Sequence, residues 1–189
     1  MKLTKKRLNE FAKTFTHLTK KEIASRANDY KTERGFASYL ERTNVSEEME
    51  HNKPLPIYIE IEVEWKRSHT WGWCPRASMR WEDAKGDWHY IENAGYASGC
   101  GYDKHSAAVA EALNRFKNLR YAVRNRDFKK APYGIRKSDY TYCYFDGGVG
   151  MSCYPRIMDW LGYNMRHVAD GKTYDKWVII DKKHEKRFK

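Results

Sequence analysis

The spacing of apolar positions along the chain changes from a helical period to a strand period near residues 44–53. Before this point, apolar side chains recur at i, i+3, i+4 and i+7, as on one face of a helix: Leu8, Phe11, Ala12 and Phe15. Thr19 and Glu22 have the spacing of a capping box, which predicts a second helix directly after Thr19. A third, short helix is expected over 35–42. Residues 1–50 are therefore predicted to form a helical N-terminal segment.

The polar residues 44–53, followed by two prolines, predict the end of the helical pattern and a boundary between segments. Over 57–65 apolar residues alternate with polar ones, which is the period of a half-buried strand. Similar alternation over 75–82 and 87–93 predicts two further strands. Antiparallel pairing can set the arginines of the second strand against the glutamates of the first, which are Glu60, Glu62 and Glu64.

The glycine-rich stretch 95–101 separates the third strand from the next helix. Glycine tolerates a positive φ, so the stretch is expected to form a tight turn between the two elements. Asp103 is the expected N-cap of that helix, and the apolar stripe of the helix runs to Leu119. The order of elements over 57–119 is therefore strand, strand, strand, helix.

A smaller C-terminal extension is expected over 138–182. It is predicted to contain a strand over 140–145, a helix over 155–167 and a strand over 174–181, with a frayed tail beyond. The predicted fold class is α+β. The N-terminal helices precede an α+β domain over 54–189, which consists of an antiparallel three-stranded β-β-β-α unit and the C-terminal extension.

Composition narrows the class of function. The chain has 189 residues, 41% of them hydrophobic, which is enough for a packed core in a soluble globular protein. Its 36 Lys and Arg against 25 Asp and Glu give a formal charge of +11, and polyanions such as nucleic acids are the natural partners of such a charge. No apolar stretch predicts a signal peptide or a membrane span, so a cytoplasmic protein is expected. The 4 cysteines lack metal-site spacing, and neither a metal nor a cofactor is expected.

Residues 115–137, here named the basic segment, concentrate the positive charge. Nine cationic side chains in this segment face a single anionic one, Asp127. Tyrosine rings beside guanidinium groups are typical of surfaces that bind nucleic acid. The predicted binding residues of the segment are Arg115, Lys117, Arg120, Tyr121, Arg124, Arg126, Lys129, Lys130, Tyr133, Arg136 and Lys137.

Gly99, Gly101 and the sequence Asp103-Lys104-His105, followed by paired alanines, resemble the end of a double-stranded RNA-binding domain. In that family three antiparallel strands precede such a helix, and the helix start contacts phosphates across the major groove. The resemblance covers about residues 57–119 and implies phosphate contacts by Lys104 and His105. The chain departs from the family pattern because it has only one of the expected lysines and lacks the Gly-Pro-x-His element.

The same stretch also resembles segments of small proteins from phages and mobile elements of Gram-positive bacteria, a group that includes anti-CRISPR proteins. This resemblance implies a non-catalytic inhibitor that binds a nucleic-acid-handling host defence complex, such as a CRISPR-Cas effector, and it assigns no site residue. The expected contact surfaces are the basic segment and the helix start at Lys104. An inhibitor of this type is the leading functional prediction.

Two alternatives stay open. A stand-alone RNA- or DNA-binding module would use the same basic and aromatic residues. A small metal-dependent nuclease would use the carboxylates of Glu60, Glu62 and Glu64, because neighbouring carboxylates can bind a metal ion. A cross-strand charge ladder with Arg76 and Arg80 explains the same glutamates without catalysis. The sequence leaves the oligomeric state open.

Overall fold

The computed structural model describes residues 1–16, 18–51, 53–68, 72–96, 104–137, 145, 150–170 and 174–189. The chain divides into two compact units, Met1–Lys53 and Pro54–Lys189. The described helices are α1 (Lys5–Thr14), α2 (Lys20–Ala27), α3 (Glu33–His51), α4 (Lys104–Leu113), α5 (Lys117–Arg124) and α6 (Tyr154–Leu161). The described strands are β1 (Tyr58–Ser68), β2 (Gly72–Glu82), β3 (Trp88–Tyr96), β4 (Tyr163–Asp170) and β5 (Tyr174–Asp181). The fold is α+β, as the sequence predicts, and helices precede the strands.

The N-terminal unit packs its helices around aromatic side chains. Thr19 Oγ1 accepts a 3.3 Å hydrogen bond from Glu22 N, and Glu22 Oε2 accepts a 2.8 Å hydrogen bond from Thr19 N, so the predicted capping box is present. Phe11 and Phe36 meet edge to face with ring centroids 5.6 Å apart. The buried cluster of this unit is Phe11, Phe15, Leu18, Ile23, Ala27, Phe36 and Leu40.

Helix α3 is longer than the sequence predicts. The predicted helix covers 35–42 and the polar residues 44–53 are expected to end it, whereas α3 runs over Glu33–His51. The prediction is wrong because the three glutamates and the one methionine of that polar stretch have good helix propensity and do not stop a helix. The prolines that interrupt the pattern, Pro54 and Pro56, lie beyond the end of α3.

The described strands of the C-terminal unit form one antiparallel sheet in the order β3-β2-β1-β5-β4. The alternation in β1 directs Ile59, Ile61 and Val63 into a core that also contains apolar side chains of α4, α5 and α6. The intervening glutamates therefore lie on the opposite face, here named the outer face. On that face Glu60 lies opposite Arg80 of β2.

The C-terminal extension joins this sheet, because β5 pairs with β1 and β4 pairs with β5. The predicted helix over 155–167 is wrong in its second half. Helix α6 ends at Leu161, and Gly162 adopts a φ of 97°. A glycine in the left-handed region ends a helix readily, and β4 begins with the next residue, Tyr163.

Close packing between β3 and α4 explains why residue 95, which the sequence predicts to lie in a turn, is glycine. Gly95 lies inside β3, opposite Ala77. A Cβ placed on Gly95 would lie 2.0 Å from the carbonyl oxygen of Ala108 in α4. Glycine is therefore required at this position by the approach of the helix backbone, and its conformational freedom is not the reason.

The helix after the glycine stretch is shorter than predicted. Its predicted apolar stripe runs to Leu119, whereas α4 ends at Leu113, the chain turns, and α5 begins at Lys117. The turn is closed by a 3.1 Å hydrogen bond from Phe116 N to Leu113 O. Several predictions fall outside the described residues, namely those for Gly99, Gly101, Asp103 and the strand over 140–144.

The C-terminal tail packs against the outer face, so the prediction that it frays is wrong. Lys182–Phe188 form a 3-10 helix. Within it, Arg187 makes an ion pair with the fully buried carboxylate of Glu82. The ring of Phe188 lies 4.7 Å from that of Tyr58, centroid to centroid. A charge pair and an aromatic contact therefore order a segment whose own sequence is mostly charged.

Candidate nucleic-acid interface

The first half of the basic segment lies on the amphipathic helix α5. Near the start of the helix, Asn118 Nδ2 donates a 2.7 Å hydrogen bond to the carbonyl oxygen of Pro54. Lys117, Arg120 and Arg124 are spaced at i, i+3 and i+7, so their half-buried side chains form one row. The buried residues of the helix are Asn118, Leu119, Tyr121 and Val123. α5 therefore presents a row of cations.

The single acidic residue of the basic segment caps a short 3-10 helix. Asp127 Oδ1 accepts a 3.1 Å hydrogen bond from Lys129 N. Next to it, Phe128 packs edge to face on Trp160 of α6, with ring centroids 5.2 Å apart. Because Phe128 turns inward, the side chains that this short helix exposes are those of Lys129 and Lys130.

A tight turn follows and carries Tyr133 at its tip. Ile135 N donates a 3.1 Å hydrogen bond to Pro132 O, and Gly134 adopts a φ of 86°, as a type II turn requires. Ile135 is buried in the core, and Arg156 of α6 donates a 2.8 Å hydrogen bond from Nη1 to the Tyr133 carbonyl oxygen. The turn is thus held from both sides, while the Tyr133 side chain is 93% exposed.

Several arginines of this region are bonded to backbone carbonyl groups. Arg115 Nε donates to Ala94 O at 2.9 Å, and Arg126 Nη2 donates to Leu161 O at 3.1 Å. Arg156 bonds in the same way to the Tyr133 turn. A carbonyl acceptor carries no formal charge, so these bonds position the guanidinium groups without neutralising them.

The net positive charge of the C-terminal unit comes from the basic segment. Over 115–137 nine Lys and Arg face one Asp, whereas the rest of Pro54–Lys189 contains fifteen Lys and Arg and sixteen Asp and Glu. The remainder of the unit is thus close to neutral. One stretch of 23 residues accounts for the whole of its excess charge.

Most of the predicted binding residues in the basic segment lie at the surface. Half-buried side chains are those of Lys117, Arg120 and Arg124, and the exposed ones are Arg115, Arg126, Lys129, Lys130, Tyr133, Arg136 and Lys137. Tyr121 is only 3% exposed. The prediction that its ring contacts a partner is therefore wrong, because the helical period turns Tyr121 into the buried face of α5.

Arg156 is a residue of this surface that the sequence analysis misses. It is exposed in α6 and bonded to the Tyr133 turn. No local pattern identifies it, because the charge-dense stretch ends well before α6 begins. Only the packing of α6 beside the basic segment brings this arginine next to the Tyr133 turn.

The start of α4, where the resemblance to RNA-binding domains implies phosphate contacts, is hydrogen-bonded to strand β5. Lys104 opens α4, but its side chain lies outside the described part of the structure. His105 Nδ1 is hydrogen-bonded to Asp175 of β5, and the other oxygen of that carboxylate lies 3.2 Å from His167 Nε2. Two imidazoles thus enclose a carboxylate that is 7% exposed. Phosphate contacts by Lys104 and His105 stay a prediction.

The outer face of the sheet gathers charges that neutralise one another. Glu60 is 4% exposed. Its carboxylate lies 2.6 Å from Arg80 Nε and 2.9 Å from Lys176 Nζ, and it accepts a 2.8 Å hydrogen bond from the Tyr58 hydroxyl. Burial acts to raise the pKa of Glu60, but the hydrogen bonds from Arg80, Lys176 and Tyr58 outweigh it and lower the pKa.

These contacts disfavour the metal-dependent nuclease. The charge ladder that the sequence predicts is present at Glu60, whose partner in the strand register is Arg80. Lys176 Nζ also lies 3.3 Å from Glu62, so cations already occupy the space that a metal ion would need. Within the described residues, no group of three or more His, Cys, Asp or Glu is arranged to hold a metal ion.

A shallow cavity of about 320 Å³ lies over these ion pairs, beside the exposed ring of Tyr90. Its charged walls include Glu60, Arg80 and Lys176, which are paired with one another. Two arginines of the basic segment, Arg115 and Arg126, bond instead to uncharged carbonyl groups, so this segment is the stronger candidate for binding a charged ligand.

Comparison with known proteins supplies no relative from which a function can be transferred. No protein-family model, curated protein or solved structure matches the chain. Among the residues that the structure describes, no helix has both the length and the apolar composition needed to cross a membrane.

Proposed function

We propose that the protein is a non-catalytic nucleic-acid-binding protein and that the basic segment is its interface. The observation that carries this proposal is the segregation of charge: the segment holds all of the net positive charge of a unit that is otherwise balanced. Concentrated like charges repel one another, and a bound polyanion relieves that repulsion. Phosphates of a nucleic acid provide such a polyanion.

The surface chemistry favours a nucleic acid over an acidic protein. An acidic protein surface would match the cations alone. A nucleic acid also offers flat base faces, which suit the exposed ring of Tyr133 and the planar guanidinium group of Arg156, which bonds to the same turn. Helix α5, Arg126 and Phe128 all contact α6, so these parts of the segment lie against the same helix.

The proposal extends to the partner implied by the resemblance to phage and mobile-element proteins. An inhibitor of anti-CRISPR type would apply this interface to the guide or target strand held by a CRISPR-Cas effector. The charge segregation supports the nucleic-acid contact, and the resemblance supports the choice of complex. Binding that requires the guide-loaded effector is expected. Equal binding to the guide-free effector would contradict a contact made through nucleic acid.

Mobility-shift titrations with duplex RNA, duplex DNA and single strands across a salt series test the interface. Each phosphate contact adds roughly 0.7 to 0.9 to the slope of log affinity against log salt. The triple variant Arg124→Gln/Lys129→Gln/Lys130→Gln is therefore expected to lower that slope by about two to three and to weaken binding to every sequence alike.

A matched control removes the same charge from the other unit. The variant Lys2→Gln/Lys5→Gln/Lys6→Gln replaces three exposed lysines of the N-terminal unit and is expected to keep the slope of the unaltered protein. If the two triple variants weaken binding equally, total charge is responsible and the assigned interface is wrong. If the unaltered protein binds no nucleic acid at low salt, the proposed function itself is wrong.

A further inference from the structure

Tyr133 occupies a position that the fold does not explain. Among the large apolar and aromatic side chains that the structure describes, its side chain is the most exposed, at 93%, while the next, those of Trp73 and Tyr90, are 64% exposed. An aromatic ring that remains in water contributes little to the stability of the fold, because burial is what makes such rings stabilising.

The backbone beneath this ring is fixed. The hydrogen bond from Ile135 N to Pro132 O closes the turn, and the buried Ile135 side chain anchors it in the core. Arg156 holds the Tyr133 carbonyl oxygen from α6. A ring carried on a fixed turn loses little conformational freedom when a ligand stacks on it, which favours binding.

Exposed cations lie on both sides of the ring along the chain. Lys129 and Lys130 precede the turn, and Arg136 and Lys137 follow it. The backbone from Lys130 to Arg136 spans at most about 20 Å when fully extended. The cationic side chains are therefore close enough to contact the phosphates on either side of a base that lies on the ring.

We propose that Tyr133 is the stacking platform for an unpaired base, so that the basic segment prefers single-stranded nucleic acid over duplex. The inference rests on the proposed function and adds the form of nucleic acid that the site recognises. Bases in a duplex have both faces covered by their neighbours, whereas a single strand leaves faces free to stack on an aromatic side chain. RNA and DNA single strands share this chemistry.

Substitution of the exposed ring tests the proposal without disturbing the core. Fluorescence-anisotropy titrations with oligo(dT), oligo(U) and a duplex of equal length compare the unaltered protein with Tyr133→Phe and Tyr133→Ser. Tyr133→Phe keeps the ring and is expected to bind like the unaltered protein. Tyr133→Ser is expected to weaken single-strand binding about tenfold to a hundredfold, the range for loss of one stacked base, and to leave duplex binding and the salt slope unchanged.

An oligonucleotide of abasic sites separates stacking from charge. It retains the phosphates but has no base to stack, so Tyr133→Ser and the unaltered protein are expected to bind it equally. Loss of abasic binding in Tyr133→Ser, or equal loss for single strand and duplex, would show that the ring does not stack on a base. A ring used instead to contact a protein or a second copy of the chain would leave all the nucleic-acid affinities unchanged in Tyr133→Ser.

The two proposals fail in different ways. If Arg124→Gln/Lys129→Gln/Lys130→Gln weakens binding and Tyr133→Ser does not, the nucleic-acid interface stands and the stacking platform is wrong. If neither the triple variant nor Tyr133→Ser changes the affinity for any probe, both proposals are wrong. The melting temperature of each variant, expected to equal that of the unaltered protein, shows that the effects arise at the surface.

Discussion

The outer face of the sheet and the basic segment are both rich in charge, but the acceptors of their cations differ. On the outer face, Arg80 and Lys176 donate to the carboxylate of Glu60. In the basic segment, Arg115 and Arg126 donate to backbone carbonyl oxygens. The first arrangement cancels charge and stabilises the fold, while the second holds positive charge at the surface.

The comparison shows that a count of charged residues does not identify a binding surface by itself. The acidic strand β1 has the residue types of a metal site, yet its glutamates face cations on β2 and β5. The partner of each charged group decides whether that group is available to a ligand.

Reversal of charge at two exposed positions of the basic segment has the largest expected effect. Lys129→Glu/Lys130→Glu is expected to weaken nucleic-acid binding by roughly a hundredfold at low salt, since four units of charge change at about 1 kcal/mol or less each. Folding stability is expected to change by about 0.5 kcal/mol or less, as for most surface substitutions. Anisotropy titration and urea denaturation measure the two effects. A large loss of stability would place these lysines in the fold and not at an interface.

The opposite outcome is expected for Glu60→Gln on the outer face. Glu60→Gln removes the anion that half-exposed Arg80 and the more buried Lys176 share, and the expected loss in the free energy of unfolding is about 2 kcal/mol. Nucleic-acid affinity is expected to stay unchanged in the folded fraction. Urea denaturation followed by circular dichroism gives the stability. Weaker binding by folded Glu60→Gln would mean that the outer face takes part in the interface.

The pH dependence of the free energy of unfolding tests the contribution of the same carboxylate. The pKa of Glu60 is lower in the folded protein than its ordinary value of 4.5. The stabilisation from its ionised form is therefore complete above that value and is lost as the pH falls through the folded pKa. The stability difference between the unaltered protein and Glu60→Gln is expected to be constant above about pH 5 and to shrink below pH 4.5. A difference that persists at pH 2 would exclude ionisation of Glu60 as its cause.

The smallest expected effect concerns Tyr58. Burial, followed by the hydrogen bond to Glu60, raises the pKa of Tyr58 to about 12. Since a raised pKa favours the neutral phenol in the folded state, this contribution to stability is present below pH 10 and lost as the pH rises toward 12. The ultraviolet titration curve of the unaltered protein minus that of Tyr58→Phe is expected to show one tyrosine that ionises at about pH 12. An ordinary titration near pH 10 would mean that this hydroxyl is neither buried nor bonded to Glu60.

Where a local pattern matches the final structure, its physical cause is also local. The capping box at Thr19 and Glu22 needs only four consecutive residues. The alternation in β1 predicts both the strand and the burial of Ile59 and Ile61, because side chains of a strand alternate between faces. The concentration of cations in 115–137 is likewise visible in the sequence.

The errors arise where distant residues decide the outcome. The charged tail is ordered by Glu82 and Tyr58, which precede their partners Arg187 and Phe188 by more than 100 positions. Gly95 is needed because α4 lies against it, although the local sequence assigns it to a turn. The burial of Tyr121 follows from the break between α4 and α5, which shifts the helical period of the stripe.

The sequence by itself determined the fold class, the central strand and the location of the excess charge, since periodicity, turn chemistry and charge density are properties of neighbouring residues. Tertiary structure alone decided which charges are cancelled. It paired Glu60 with cations from two other strands, and it bonded Arg156 to the backbone carbonyl group of Tyr133. Electrostatic interactions depend on distance in space, and the packing of helices on a sheet sets those distances between residues far apart in the chain.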